Sequence, residues 1–170
     1  MNRRNGKLQQ ANSHYFLKTK FSYLYTSSLG IGFVPFASGT WGSLVGAITY
    51  FILLSYISLP AMICITVLGV ATAIVASNHV IPDKTSDPKH IVIDEVLGMW
   101  VTCLFMPLSS GIGWYILAFV LFRILDITKI PPINSLEKLH GGIGIVFDDL
   151  AAGVIGGLIL LVISLTLTTS

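Results

Sequence analysis

Residues 91–108 read IVIDEVLGMWVTCLFMPL, an apolar run whose only charges are Asp94 and Glu95 near its start. A helix needs ~20 such residues to cross the hydrocarbon. An ionised side chain at the edge of such a run is costly unless it is paired, solvated or bound to a metal, so its carboxylates are functional-site candidates. The combination recurs on either side. Arg123 and Asp126 sit near the end of the run 112–127, and Asp148-Asp149 lead into 150–168. With Glu137, six of the eight acidic residues lie at or near long apolar segments.

Composition agrees. Hydrophobic residues make up 54% of the 170, charged residues 11%, and mean hydropathy is +0.81, whereas a soluble domain carries about 25% charged residues. The apolar residues fall in blocks without the polar face a surface helix needs. This predicts an all-α membrane protein of about five transmembrane helices: Ser43–Ser58, Pro60–Val80, Ile91–Leu108, Ile112–Ile127 and Leu150–Thr168. The first and fourth are short, which calls for local bilayer thinning.

Residues 1–28 carry Arg3, Arg4, Lys7, Lys18 and Lys20 and no acidic residue. They lack the apolar core and cleavage site of a secretory signal. With Tyr15, Phe16, Leu17, Phe21, Tyr23, Leu24 and Tyr25 among them, they read as an interfacial helix on anionic lipid or as a basic tail that sets orientation. Residues 29–170 form a single membrane-embedded domain. Cys64 and Cys103 lie inside apolar runs and read as small packing residues rather than a disulfide.

A basic N-terminus predicts a cytoplasmic start. Threading five spans from there places all eighteen charged residues in the tail, in the loops 81–90 and 128–149, or within about two turns of the cytoplasmic face. The opposite turns, 58–60 and 109–111, carry none. A secondary transporter keeps its ion sites near the midplane and often shows inverted repeats; here the span centres are uncharged. A charged layer at the boundary suits chemistry on a lipid headgroup instead, and no feature calls for a nucleic-acid partner.

Each charged element has a plain reading beside a chemical one. Asp94-Glu95 could serve the positive end of a helix dipole, but one carboxylate would suffice, and Gly98 beyond them lets another backbone approach. Arg123 and Asp126, three apart, share a helix face. They form either a neutralising ion pair, or a phosphate-binding guanidinium beside a metal-binding carboxylate. Asp148-Asp149 follow the glycine-rich stretch Gly141-Gly142-Ile143-Gly144, which is a flexible turn or an anion-binding backbone.

Gly39-Thr40-Trp41-Gly42 precedes the first span, so Thr40 reads as a cap or a phosphate contact. His79, His90 and His140 lie near the same face at no metal-ligand spacing and read as boundary or substrate-contact residues. In the last span, Ala152, Gly153, Gly156 and Gly157 mark close helix packing within the fold or between protomers of a homo-oligomer. Five carboxylates without a thiolate or histidine signature favour a hard cation such as Mg²⁺. With Lys89, Arg123 and Lys129 nearby, metal-assisted attack on phosphorus is the expected reaction class.

Four elements carry a family resemblance: Gly39-Thr40-Trp41-Gly42; Asp94-Glu95 with Gly98; Phe122-Arg123 with Asp126, Lys129, Pro132 and Ile133; and Gly141-Gly142 with Gly144-Ile145, Asp148-Asp149 and Ala152-Gly153. From about Gly30 onward the sequence resembles the phosphatidylglycerophosphatase A family. The resemblance implies a bacterial inner-membrane, Mg²⁺-dependent enzyme that removes the terminal phosphate from phosphatidylglycerophosphate, its active site facing the cytoplasm. Asp94, Glu95, Asp148 and Asp149 would hold metal or activate water, and Asp126 would complete or orient the site. Arg123 and Lys129 would bind phosphate, with Thr40, Gly141 and Gly142 as further contacts.

Two positions depart from the family pattern, Ser38 and Ile130, each where proline is usual; both affect loop stiffness and neither removes a charge. No Cys-x5-Arg or D-x-D-x-T phosphatase signature is present, which favours a metal-activated water as nucleophile and leaves an aspartate as the alternative. The Asp-Gly-x2-Ala-Arg motif of a cytidine-linked lipid transferase is also missing.

Overall fold

The computed structural model describes residues 19–81, 89–108, 110–136 and 139–168. Every regular element among them is helical. Helix α1 covers residues 19–26 and leads through a 3-10 turn, Ile31–Phe33, into α2 (Ser38–Leu54). Then follow α3 (Leu59–Val80), α4 (Ile93–Cys103), α5 (Ile112–Thr128), the one-turn α6 (Ile133–Leu136) and α7 (Gly142–Thr168).

Helices α3 and α7 have 22 and 27 residues, or roughly 33 and 40 Å at a rise of ~1.5 Å per residue. Both are long and apolar enough to cross a membrane. Their outward faces leave Val67, Leu68, Val75, Val162 and Leu165 exposed, apolar surface that water would penalise and lipid would not. The chain is membrane-associated through these two helices. Helices α2 and α5, with 17 residues each, are the short ones that the sequence predicts.

The third apolar run departs from expectation. Only its first part is helix: α4 has 11 residues, about 16 Å at the same rise, and ends before Pro107, which cannot continue a helix and restrains the residue before it. This short helix is the centre of the bundle, packed against α7, α2, α3 and α5. Its Ile93, Val96, Leu97, Met99 and Cys103 are buried. Trp100 Nε1 donates to the Gly46 carbonyl and to Thr49 Oγ1, both at 3.0 Å, tying α4 to α2.

Two helices begin earlier than the sequence suggests. Helix α2 starts at Ser38 after a left-handed Ala37 and has no side-chain cap. Gly39-Thr40-Trp41-Gly42 is therefore its first turn, and Thr40 is not the cap. Helix α7 starts at Gly142, so the glycine-rich stretch is largely helix and Asp148-Asp149 lie nearly two turns inside it. The cause is the same in both places. Glycine reads locally as a helix breaker, but these glycines face neighbours that admit no side chain. A Cβ at Gly39 would run into the Glu95 carboxylate, and one at Gly142 would lie 2.5 Å from the Ile74 carbonyl oxygen.

The small residues of α7 are likewise used within the chain. Gly153 packs on the Gly98 backbone, Gly156 on Leu125 and Thr102, and Gly157 on the Phe105 ring. Intrachain packing, rather than a protomer contact, occupies that face. Neither cysteine forms a disulfide; Cys103 is buried as expected, whereas Cys64 faces outward on α3.

The described end of the N-terminal segment lies on α3, where Tyr25 Oη donates to the Gly69 carbonyl at 3.2 Å. Phe21 and Leu24 remain exposed on it. The basic residues Arg3, Arg4, Lys7 and Lys18, together with Glu137 and Lys138, lie outside the described residues.

Candidate active site

Charged residues from three helices converge on one cavity of about 190 Å³. Helix α4 contributes Asp94 and Glu95 from its first turn, α5 contributes Asp126 and its C-terminal Lys129, and α7 contributes Asp148 and Asp149. Ser38, Lys89, Ile91 and Ile145 complete the lining.

The crossing of α4 and α7 places these groups together. A Cβ at Gly98 would lie 2.8 Å from the Asp149 carbonyl oxygen, and one at Gly153 would lie 2.5 Å from the Gly98 carbonyl oxygen. With no side chain at either position, the backbones touch one turn beyond Asp94-Glu95. The close approach that Gly98 suggests in the sequence is thus made to the residue carrying a site carboxylate.

The five carboxylates divide into two groups. Ligand oxygens of Asp94, Glu95 and Asp149 all lie within 4.8 Å of one another. Asp126 pairs instead with Arg123, and Asp148 with Lys129 at 2.9 Å. Arg123 Nη1 also donates to Ser43 Oγ at 3.3 Å. Ser43 Oγ in turn donates to the Gly39 carbonyl at 2.8 Å. Gly39 has no side chain because Glu95 Oε1 and Arg123 Nη1 occupy that space. In each acidic pair the first aspartate accepts the second residue's own N–H, at 3.1 Å for Asp94 and 3.0 Å for Asp148.

Glu95 Oε2 and Asp149 Oδ2 are buried and have no hydrogen-bond partner. Carboxylates this close repel one another strongly where water is scarce, and a buried, unsatisfied polar atom costs about 1–3 kcal/mol. A bound cation would remove both penalties, and carboxylate oxygens are hard donors. Asp94, Glu95 and Asp149 therefore fit a metal ion. Arg123 Nε is also buried without a partner, so the guanidinium retains donor capacity beyond Asp126 and Ser43.

The residues around Lys89 are fastened to the N-terminal segment. His90 stacks between Tyr23 and Phe33, with ring centroids 5.2 and 5.5 Å away. Burial lowers its pKa below the ordinary histidine value, which favours the neutral ring at pH 7. Val92 N–H donates to the Thr26 carbonyl at 2.9 Å, and Ser38 Oγ to the Lys89 carbonyl at 3.0 Å.

Thr40, Gly141 and Gly142 are not among the cavity-lining residues, and neither is Arg123, which adjoins the cavity through its pair with Asp126. Gly141 and Gly142 meet Asn78 at the end of α3, where Asn78 Oδ1 accepts the Gly142 N–H at 3.0 Å. His79 lies on the outward side, its ring against the Val75 carbonyl. Sequence reasoning missed Ser43 and the contact made by Gly39. Their i,i+4 spacing on one face of α2 is the signal that could have found them.

The guanidinium allows a direct test. Arg123→Lys keeps the charge but loses the fork that spans Asp126 and Ser43. One charge-assisted hydrogen bond lost to the phosphate is worth about 1.5–3 kcal/mol, so kcat/KM is expected to fall roughly 10–100-fold. Because the bonds to Asp126 and Ser43 weaken as well, a modest fall in unfolding temperature should accompany it.

The fold and this cavity define a class: a helical, membrane-associated protein that gathers acidic and basic side chains of separate helices, with three carboxylates spaced for a metal ion. Within that class, the chain belongs to the phosphatidylglycerophosphatase A family, whose model matches residues 24–164. It is 35% identical over 140 residues to a protein of Escherichia coli named phosphatidylglycerophosphatase A, covering 81% of this chain and 80% of that one. A Haemophilus influenzae protein of the same name is 35% identical over 134 residues, 78% of this chain and 82% of that one. A Bacteroides thetaiotaomicron protein named "Putative phosphatidylinositol-3-phosphatase" is 36% identical over 136 residues, 77% of this chain and 86% of that one. No solved structure matches the chain.

Proposed function

We propose that this chain is a Mg²⁺-dependent phosphatidylglycerophosphatase, which hydrolyses the terminal phosphate of phosphatidylglycerophosphate to give phosphatidylglycerol and inorganic phosphate. The observation that carries the reading is the grouping of Asp94, Glu95 and Asp149 within 4.8 Å, beside two carboxylate-tethered cations in a chain of this family. Mg²⁺ held by the three carboxylates would supply Lewis-acid charge to the phosphoryl oxygens. Arg123 and Lys129 bind the phosphate and offset the charge that grows in the transition state. Asp126 and Asp148 aim those two cations, and Ser43 steadies the first.

The same reading takes α2, α3, α4 with the apolar stretch that follows it to Leu108, α5 and α7 as five crossings of a bacterial inner membrane. The N-terminus and the cavity face the cytoplasm. Its support is the one-sided distribution of charge along the sequence, which suits a cavity at headgroup depth with the acyl chains in hydrocarbon.

Purified protein is expected to release phosphate from phosphatidylglycerophosphate with Mg²⁺ and to stop when EDTA is in excess. Folded protein that releases none with Mg²⁺ would overturn the assignment. A parallel assay on phosphatidylinositol 3-phosphate tests a second substrate reading, which rests on the name of the Bacteroides relative.

A further inference from the structure

We propose that the groove between α2 and α5 holds one acyl chain of the lipid whose phosphate occupies the cavity. This rests on the phosphatase reading above and adds the part of the substrate that reading leaves in the bilayer. Leu44, Ile48 and Phe51 of α2 face Ile112, Ile116 and Phe119 of α5 across an apolar groove of about 240 Å³. The two helices run antiparallel, because Ser43 meets Arg123 at one end and Phe51 meets Tyr115 edge-on at the other.

What separates this groove from ordinary lipid-facing surface is where it leads. Residues four apart lie on one helix face. One turn back from Leu44 is Thr40, and one turn on from Phe119 is Arg123. The apolar stripe of α5 therefore leads to the guanidinium that sits beside Glu95 and Asp126, and that of α2 leads to Thr40 in the first turn of its helix. A lipid lying along this path keeps its phosphate on Arg123 and its chain between the helices, without bending out of the bilayer.

The groove spans about 10 Å from Leu44 to Phe51 at the helical rise, a third of the ~30 Å hydrocarbon thickness. It would thus grip part of one chain rather than enclose it. Two larger grooves, of about 450 and 710 Å³, lie along α1. The first follows the Val45 stripe of α2 toward Trp41, and the second follows α3 to His79; neither runs into Arg123. This path also gives Thr40, which does not line the cavity, a place beside the lipid between phosphate and chain.

The test uses photolabelling in phosphatidylcholine vesicles containing the full-length chain. One probe is phosphatidylglycerophosphate with a diazirine in an acyl chain, at low mole fraction; the control is phosphatidylcholine with the same chain. The expected result is enrichment of adducts on Leu44, Ile48, Ile116 and Phe119 with the first probe relative to the second. Val67 and Leu68 on the outward face of α3 should label equally with both.

Equal labelling of the groove by both probes would overturn the proposal, even in protein that hydrolyses its substrate. Absence of hydrolysis counts against the phosphatase reading and is scored separately. Ile48→Trp fills the groove at a half-exposed position without entering the core. It is expected to raise KM about tenfold, the scale of a small misfit in an apolar pocket, while leaving kcat in place. An unchanged KM would count against the groove.

Discussion

Asp149→Asn protein is expected to hydrolyse phosphatidylglycerophosphate at least ~100-fold more slowly than the parent chain, because loss of an outer-shell partner alone costs a metal site 10–100-fold. The substitution keeps shape and removes one negative charge from a buried group of three. Asp149 Oδ2 has no partner to lose, and its own N–H stays with Asp148 Oδ1. Relieving repulsion among close carboxylates should leave the unfolding temperature equal or higher. Asp94→Asn should behave alike. Asp148→Asn should cost less, since that carboxylate is tethered to Lys129. If Asp149→Asn and Asp94→Asn both turn over near the parent rate, the three do not form the metal site. If Asp148→Asn proves the most damaging, the division into triad and tethers is wrong.

Gly98→Ala is expected to match that loss without touching a charged group. Its Cβ would lie 2.7 Å from the Phe122 ring and 2.8 Å from the Asp149 carbonyl oxygen. A main-chain carbonyl cannot swing aside as a side-chain tip does, so α4 and α7 must part. Overpacking of this kind costs about 1–3 kcal/mol, and a ~1 Å misplacement of catalytic groups can cost ~100-fold in rate. Gly113→Ala on α5 is the control, because its Cβ would meet nothing within 4 Å. The measurements are thermal unfolding in detergent and phosphate release. Parent-like values in both for Gly98→Ala would show that the crossing tolerates a methyl and does not set the site.

Much of this molecule could be read from the chain, but unevenly. Helices α3 and α5 appear within a residue of their expected bounds, because uninterrupted apolar runs between prolines and glycines leave little choice. The starts of α2 and α7 were misplaced because glycine was weighed by its local cost. That cost is outweighed at Gly39 and Gly142 by contacts with Glu95 and Ile74, more than 50 positions away, which no window of sequence contains. The extent of α4 was overestimated for the converse reason: apolar residues continue beyond Cys103 although the helix does not.

At the site, the Arg123–Asp126 pair follows from its i,i+3 spacing and was legible. The Lys129–Asp148 pair spans 19 residues and exists only because α5 and α7 pack together. The five carboxylates that line the cavity all stand out in the sequence. Their partition into three grouped oxygens and two anchored cations depends on helix rotation about the Gly98–Gly153 contact, which composition does not encode.

The shortness of α4 has a consequence for how the sequence can vary. One half of the bundle contains a central helix, five carboxylates and backbone contacts that admit no methyl group. Past Cys103 the demands are fewer, chiefly the Gly157 contact with Phe105 and the buried Met106, Tyr115 and Leu160 within otherwise apolar surface. A saturation mutagenesis map of this chain should therefore be strongly polarised along the bundle axis. At the Asp94 end, single atoms should be limiting. At the far end, around Tyr56 and Ile112, interchange among apolar residues should pass unnoticed, leaving that end free to drift with the membrane in which it resides.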